Sequence, residues 1–199
     1  MRLKDKKIGF ALTGSHCTME KVLQEIDKLV NEEGARVYPI VSHAIDSMDT
    51  RFGTASHWKE ALENLTQNKV ITTIVDAEPI GPQDLLDVLV IAPCTGNTMA
   101  KLAHGITDTP VLMAAKATLR NQHPVVVAIS TNDGLGFNAC NLGILLNTKN
   151  IFFVPFGQDS PSGKVNSLVA HMNKIGDTIV GSLQGKQIQP VLVQYEDNS

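Results

Sequence analysis

Two short segments of this sequence combine glycine with small hydroxyl side chains where a helix is expected to begin. Thr13, Gly14 and Ser15 directly follow an apolar run, and the segment 95–98 (T-G-N-T) follows Pro93 at the end of the most apolar run. Glycine lets a backbone approach a ligand closely, and the unpaired N–H groups at a helix N-terminus attract phosphate. Both segments are therefore candidate ligand-binding loops, with a plain turn and a helix cap as the alternative at each.

Two further loops carry polar groups after strand-like runs. Ser42 closes one such run and offers a hydroxyl to a planar ligand, with a simple strand end as the alternative. The loop 130–138 leads into a G-x-G-x-x-A spacing formed by Gly134, Gly136 and Ala139. The glycine-rich fingerprint of dinucleotide-binding proteins normally follows the first strand, and an acidic residue lies about 20 residues after it. Neither condition is met here, so we expect a glycine-rich turn over a substrate.

Three single residues invite a chemical role. Asn97 is expected to orient a ligand, because an amide donates and accepts at once, and the alternative is that it caps a helix beginning at Met99. A positive helix end beside His16 would lower the pKa of that ring and keep it neutral. Cys94 is interpreted as a small buried hydrophobe rather than a nucleophile. No acid–base pair is evident, so the sequence assigns no catalytic residue.

The composition excludes several classes of protein. The 199 residues are 43% hydrophobic and 19% charged, which is typical of one globular domain. A net charge of −3 without a basic stripe argues against nucleic acid as a partner. Three scattered cysteines predict neither a disulfide framework nor a metal site, as suits the cytoplasm. The apolar run near the start is too short for a signal peptide, and no run is long enough to span a membrane.

The elements that must position these loops alternate between strand and helix. Strand-like runs are expected at 7–12, 36–42, 70–75, 87–92, 125–129 and 151–154. Helical patterns are expected at 22–30, where Gly34 ends the helix, and at 58–65, 111–120, 142–146 and 165–183. A short helix is also expected to begin at Met99.

Continuous apolar strands indicate a parallel sheet that helices cover on both faces. We therefore predict an α/β fold with a single doubly wound, mainly parallel sheet of about six strands, of the Rossmann-like type. The chain 1–199 is expected to be one domain, with a core at about 7–183 and a frayed tail at 196–199. Ligands in such folds bind at the carboxyl ends of the strands, where all four loops lie.

The longest motif, at 92–108, reads A-P-C-T-G-N-T-M-A-K-L-A-H-G-I-T-D. Together with T-G-S at 13–15 and S-x-A after the second strand, it resembles the homo-oligomeric flavoprotein family, which includes flavin-containing cysteine decarboxylases and flavin prenyltransferases. The resemblance covers 7 to about 183 and implies bound FMN near a boundary between the chains of a trimer-based homo-oligomer. It implies these flavin-binding residues: Thr13, Gly14 and Ser15 at the phosphate, Ser42 beside the isoalloxazine, and Pro93, Thr95, Gly96, Asn97 and Thr98 in a second loop.

Four stretches carry a narrower resemblance: 7–18, 115–121, 129–133 (I-S-T-N-D) and 148–159 (T-K-N-I-F-F-V-P-F-G-Q-D), of which the last two are not features of the wider family. They are similar to the family of dipicolinate synthase B subunits. This resemblance implies a two-subunit oxidoreductase that converts a dihydrodipicolinate-type precursor to dipicolinate during sporulation, in the mother-cell cytoplasm. It also implies a partner, the A subunit of dipicolinate synthase, that carries an NAD(P) site. A non-catalytic stabilising subunit with a vestigial flavin site is the alternative.

Departures from the wider family disfavour two of its activities. The segment 130–138 lacks the Met and Trp of the cysteine decarboxylase substrate clamp, and 77–79 lacks the catalytic His of those enzymes. The prenyltransferases carry an Arg near the position that Met113 occupies here and a Lys near that of Arg120, so this chain departs from them where they bind a prenyl phosphate. Arg can clamp a carboxylate bidentately, so Arg120 is a candidate contact for a dicarboxylate substrate, together with Thr131 and Asn132.

Overall fold

The computed structural model describes residues 1–195, and the strands of this part form one mixed sheet. The strands are β1 (Lys7–Leu12), β2 (Arg36–Val41), β3 (Val88–Cys94), β4 (Val125–Thr131), β5 (Ile151–Phe153), β6 (Phe156–Gly157) and β7 (Leu168–Ala170). The sheet runs in the order β2-β1-β3-β4-β7-β6, and β5 pairs in parallel with the first half of β4. The pairs β1–β2, β1–β3 and β3–β4 are parallel, whereas β7 pairs antiparallel with β4 and with β6.

Helices flank this sheet. They are α1 (Met19–Asp27), α2 (His43–Ser47), α3 (Ala55–Thr66), α4 (Ile74–Ala77), α5 (Gly96–Ala103), α6 (Pro110–Arg120), α7 (Ala139–Leu146) and α8 (Ile175–Leu183). Helix α6 packs across β1 to β4, and α8 packs against β3, β4 and β5. A π-helical turn, Lys28–Glu32, extends α1, and Gly34 follows it with a φ of +72°, as the predicted helix end requires.

The apolar runs form the strands because both sides of the sheet are covered. Every residue of β3 is buried, and β4 is buried except for Thr131 at its end. A strand buried on both faces needs an apolar side chain at every position, which explains the continuous runs in the sequence. The predicted class, a mainly parallel doubly wound sheet, is confirmed, with seven strands rather than about six.

One predicted strand, 70–75, is wrong. In this segment Ile71 forms a single bridge with Ile40, and the chain then enters α4. The Thr73 side chain accepts a hydrogen bond from the backbone N–H of Asp76 at 3.0 Å, which caps that helix. The β-branched composition favours a strand, but a threonine cap three residues before an acidic residue starts a helix instead.

The predicted helix at 165–183 is correct only in its second half, where α8 lies. Its first half contains β7, which pairs Leu168 with Thr131 and Val169 with Ser130. An apolar run of this length does not reveal whether it pairs with a distant strand, because the pairing depends on residues about 40 positions away. The expected frayed tail at 196–199 lies outside the described residues. Within 1–195, no helix is long and apolar enough to cross a membrane.

Candidate functional site

The two glycine-containing loops meet at the carboxyl edge of the sheet. The Thr13 hydroxyl donates to the Pro93 carbonyl at 2.7 Å and accepts from the backbone N–H of Thr95 at 3.0 Å. One buried hydroxyl therefore joins the end of β1 to the end of β3, using both its donor and its acceptor capacity. The prediction that these loops converge is confirmed at hydrogen-bond distance.

The second loop differs in detail from the prediction. Strand β3 continues through Pro93, so this proline does not end it. Helix α5 begins at Gly96 rather than Met99, and Thr95 is its N-cap, with an Oγ1 that accepts from the Thr98 N–H at 3.5 Å. Asn97 therefore lies inside the first turn and is exposed, so it does not cap the helix. A side chain in this position is free to meet a ligand.

One side of the site is a group of neutral hydroxyls, which we call the hydroxyl wall: Ser15, Thr18 and Ser130. The Ser15 Oγ lies 2.8 Å from the Ser130 Oγ and 3.0 Å from the Thr18 Oγ1. Thr18 also donates to the Ser15 carbonyl at 2.9 Å. These contacts connect the turn after β1 to the end of β4, two segments about 115 residues apart.

A second part of the site is built around one carboxylate, and we call Thr131, Asp133 and Asn138 the carboxylate wall. The Thr131 hydroxyl donates to Asp133 Oδ1, and the Asn138 amide donates to Asp133 Oδ2 at 2.7 Å. Asn141 in turn donates to the Asn138 Oδ1 at 2.9 Å. Both asparagines are only 7% exposed, so buried amides fix the position of the Asp133 carboxylate.

Gly96 leaves room for this wall against the first turn of α5. A Cβ on Gly96 would lie 2.6 Å from Asp133 Oδ1 and 2.7 Å from both the Thr131 Oγ1 and the Asn138 Nδ2. No real Cβ approaches polar atoms that closely, so a larger residue would displace the wall. The glycine of the T-G-N-T segment is therefore required by the carboxylate wall.

Ser15 and Ser130 of the hydroxyl wall and Thr131 and Asp133 of the carboxylate wall line a cavity of about 630 Å³, within the range of small-molecule sites. Its lining residues are Gly14, Ser15, Cys17, Thr95, Gly96, Asn97, Ser130, Thr131, Asn132, Asp133, Asp159, Lys164, Ser167 and Val169. The lining thus includes part of each loop and the two predicted substrate contacts at the end of β4. The predicted flavin contacts that do not line it are Thr13, Ser42, Pro93 and Thr98.

The chain between β6 and β7 forms a third side that the sequence does not predict. Here Lys164 Nζ lies 3.5 Å from Asp159 Oδ2. Burial acts to raise the pKa of Asp159, but a hydrogen bond from Ser167, its own backbone N–H and the charge of Lys164 outweigh it and hold the pKa below its usual value. This ion pair comes from a segment that reaches the site only because β7 pairs with β4.

Two buried polar atoms near the first loop have no hydrogen-bond partner in the described part of the chain: the Ser42 Oγ and the His16 Nδ1. Ser42 precedes α2, and a Cβ on Gly14 would lie 3.0 Å from the Cβ of Ala44, so the start of α2 lies beside the first loop. The pKa of His16 is lowered as expected, but burial rather than a helix end is the cause. An unpaired buried hydroxyl such as that of Ser42 fits a ligand-binding position.

Arg120 is not brought together with Thr131 and Asn132. It ends α6 before β4 begins, whereas Thr131 ends β4, and a strand of seven residues spans about 20 Å. Arg120 lines a separate groove with Lys116 and Ile106. The predicted group of three substrate contacts is therefore split between opposite edges of the sheet.

Other residues of the site were either interpreted as structural or not predicted. Cys94 is fully buried, and burial raises the pKa of its thiol to about 12, which fits the interpretation of a packed hydrophobe. The sequence places the loop 130–138 over the site without distinguishing Ser130, Asp133 and Asn138 within it. Polar loop residues look alike until their partners are known, although the run S-T-N-D directly after a buried strand marks the position.

Known proteins share both the sequence and the fold of this chain. The family model described as Flavoprotein matches residues 1–183. The chain is 56% identical over 197 residues to the dipicolinate synthase B subunit of Bacillus subtilis (strain 168), covering 98% of each. The crystal structure of the dipicolinate synthase B subunit from Bacillus halodurans C matches with a TM-score of 0.89 and 52% identity, covering 98% of this chain and 99% of that one.

A more distant solved structure shares the fold alone. The FMN-dependent cysteine decarboxylase SpaF matches with a TM-score of 0.64 at 18% identity, covering 92% of this chain and 99% of that one.

Proposed function

The chain belongs to the flavoprotein family, and we propose that it acts as the B subunit of a two-subunit dipicolinate synthase. In this proposal the complex oxidises a dihydrodipicolinate-type precursor to pyridine-2,6-dicarboxylate in the mother-cell cytoplasm of a sporulating bacterium. The observation that carries the proposal is the meeting of the two flavin-type loops in one cavity, in a chain 56% identical to such a protein.

The cavity suits FMN as the cofactor. In the turn Thr13, Gly14 and Ser15, the last two would hold the phosphate, because they line the cavity. Thr13, whose hydroxyl is hydrogen-bonded to Pro93 and Thr95, would fix the shape of the turn. The unpaired buried hydroxyl of Ser42 would gain a partner beside the flavin ring. Pro93 and the residues 95–98 would form the second contact, with the exposed amide of Asn97 orienting the ring edge.

The precursor loses a hydride and a proton as its ring becomes aromatic; a bound flavin, or a nicotinamide held by the A subunit, would supply the hydride acceptor, and the proton would be released to solvent. The residues of this chain then bind and orient the ring and exclude water from it. Thr131 and Asn132 lie in the cavity and remain candidate contacts for the dicarboxylate, whereas Arg120 would act only from another surface of the assembly.

A second candidate function is a stabilising subunit with a vestigial flavin site. The observation that favours it is that Ser15, Thr18 and Ser130 satisfy one another without a ligand. In that case the A subunit would carry out the oxidation with its own NAD(P), and this chain would support its folded state.

Flavin binding and activity distinguish the two functions. We expect the purified chain to bind FMN, seen as quenching of flavin fluorescence on titration, and we expect oxidation only when both subunits are mixed. Removing the flavin from the mixture should abolish activity. Full activity of the flavin-free mixture would establish the stabilising role, and a mixture that is inactive with and without flavin would contradict the proposed reaction.

The proposal also includes a homo-oligomer, a trimer-based assembly in which the flavin lies near a boundary between copies of this chain. The resemblance to the homo-oligomeric flavoproteins supports this assembly. Sedimentation of the purified chain at micromolar concentration measures it directly. A monomer at that concentration would contradict the assembly.

A further inference from the structure

The charges that line the cavity oppose a dicarboxylate substrate. Among the described lining residues the charged side chains are Asp133, Asp159 and Lys164, so acidic groups outnumber basic ones. Lys164 lies beside Asp159 and is already its partner. A dianionic ligand would therefore meet the Asp133 carboxylate without a nearby cation to compensate for it.

Asp133 cannot turn away from such a ligand at low cost. Thr131 holds one of its oxygens and Asn138 the other, and Asn138 is itself held by the buried Asn141. The carboxylate also packs against Gly96, where an added Cβ would lie only 2.6 Å from Oδ1. The negative charge at this end of the cavity is thus a built feature of the fold.

Two basic side chains of α6, Lys116 and Arg120, do not line the cavity. Both line the separate groove beside that helix. Among the described lining residues, the cavity therefore offers a dicarboxylate only one basic side chain, Lys164, and Asp159 already pairs with it.

Next to the cavity the chain exposes apolar side chains. Phe137 is 96% exposed, Val165 is 61% exposed and Leu135 is 47% exposed. They lie close in sequence to the lining residues Asp133 and Lys164, and the Leu135 N–H donates to the Asn166 carbonyl at 3.0 Å, which holds the two segments together. We call Leu135, Phe137 and Val165 the rim patch.

We propose that the rim patch docks a different polypeptide that brings arginine or lysine side chains to the cavity and so completes the dicarboxylate site. This inference rests on the proposed function, in which that polypeptide is the A subunit. Charge complementarity selects the occupant: a basic surface meets Asp133, and its apolar surround covers Phe137 and its neighbours.

The first test compares Phe137→Ser with Val75→Ser, a matched change at a 79% exposed valine of α4. The A subunit should bind the Phe137→Ser variant about tenfold or more weakly, as for an aromatic interface anchor, and should bind the Val75→Ser variant unchanged. Equal binding of both variants would overturn the proposal. So would a change in the oligomeric state of the isolated Phe137→Ser chain, because the patch would then join copies of this chain.

The second test measures binding of pyridine-2,6-dicarboxylate by calorimetry. We expect the mixed subunits to bind it at least about tenfold more tightly than the isolated chain does. Asp133→Asn should raise the affinity of the isolated chain, because it removes a negative charge from the cavity, and so reduce the difference in affinity between the isolated chain and the mixture. Equal affinities for the isolated chain and the mixture would overturn the inference. A mixture that makes no product contradicts the proposed function, whereas a working mixture indifferent to Phe137→Ser contradicts only the inference.

Discussion

The hydroxyl wall and the carboxylate wall face the same cavity, yet they are built in different ways. Ser15, Thr18 and Ser130 are neutral and exchange hydrogen bonds that either partner can donate. Asp133 is instead a carboxylate held in place, and because a carboxylate only accepts hydrogen bonds, its partners must be the donors. The first wall can therefore rearrange around a ligand, whereas the second imposes its own geometry and charge on whatever binds.

A general binding feature and a particular one meet at these walls. Ser15 of the hydroxyl wall belongs to the T-G-S turn through which the chain resembles flavoproteins widely, and neutral hydroxyls suit a phosphate. Thr131 and Asp133 of the carboxylate wall, like Ser130 of the hydroxyl wall, lie in the stretch 129–133, which resembles dipicolinate synthase B subunits rather than the wider family. We therefore expect changes in the carboxylate wall to affect stability strongly, and changes in the hydroxyl wall to affect ligand affinity more than stability.

The largest effect is expected from Gly96→Ala. The new Cβ would lie within 2.7 Å of three polar atoms of the carboxylate wall, so the free energy of unfolding should fall by about 3 kcal/mol, the upper part of the range for overpacking. Denaturant unfolding measures it. The matched control is Gly143→Ala in α7, where a Cβ meets nothing within 4 Å and should stabilise the helix by about 0.5–1 kcal/mol. Similar stability of the Gly96→Ala variant and the parent would show that the wall can move.

A smaller loss is expected from Asn138→Ala. The change removes the donor to Asp133 and the acceptor for Asn141 inside a buried network, which should cost about 2 kcal/mol of unfolding free energy. Thermal unfolding, compared with Asn147→Ala at the exposed end of α7, measures the loss. If both variants unfold alike, the amides do not fix the carboxylate.

Ser15→Ala tests the other wall. Thr18 and Ser130 still lie 3.4 Å apart and keep each other as partners, so unfolding free energy should fall by only about 1 kcal/mol. FMN affinity should fall about tenfold because a phosphate contact is lost. Flavin fluorescence titration measures affinity, with Ser56→Ala on the exposed start of α3 as the control. Unchanged FMN affinity would remove Ser15 from the cofactor site.

The smallest stability change is expected from Asn97→Asp, in the first turn of α5 where it lines the cavity. Asn97 is the second residue of α5, so the new charge should stabilise the helix by about 0.5 kcal/mol, while the lost donor and added charge weaken FMN binding about tenfold. Ser56→Asp is the matched control, because Ser56 is also the second residue of a helix with a threonine cap. FMN affinity that is equal in parent and Asn97→Asp would leave Asn97 without a role in orienting the ring.

Local patterns in the sequence are sufficient for most of the fold and for part of the site. The buried runs that become β1, β3 and β4 need no distant information, because a strand covered on both faces must be apolar throughout. The convergence of the first and second loops follows from the same rule, since parallel strands end at one edge of a sheet. Errors arise where a local preference competes with a distant partner, as at 165–170, where β7 forms by pairing with β4.

The sequence by itself determined the α/β class, the loops at the carboxyl edge and the resemblance to flavoproteins, because these depend on residue type and short spacing. The tertiary structure alone decided that Asp133, Asn138 and Gly96 lie together, that the ion pair between β6 and β7 reaches the cavity, and that Arg120 does not. Each of these outcomes depends on hydrogen bonds, strand pairings or distances between residues far apart in the chain. Such contacts leave no local pattern, since they are set by how the elements pack rather than by which residues adjoin one another.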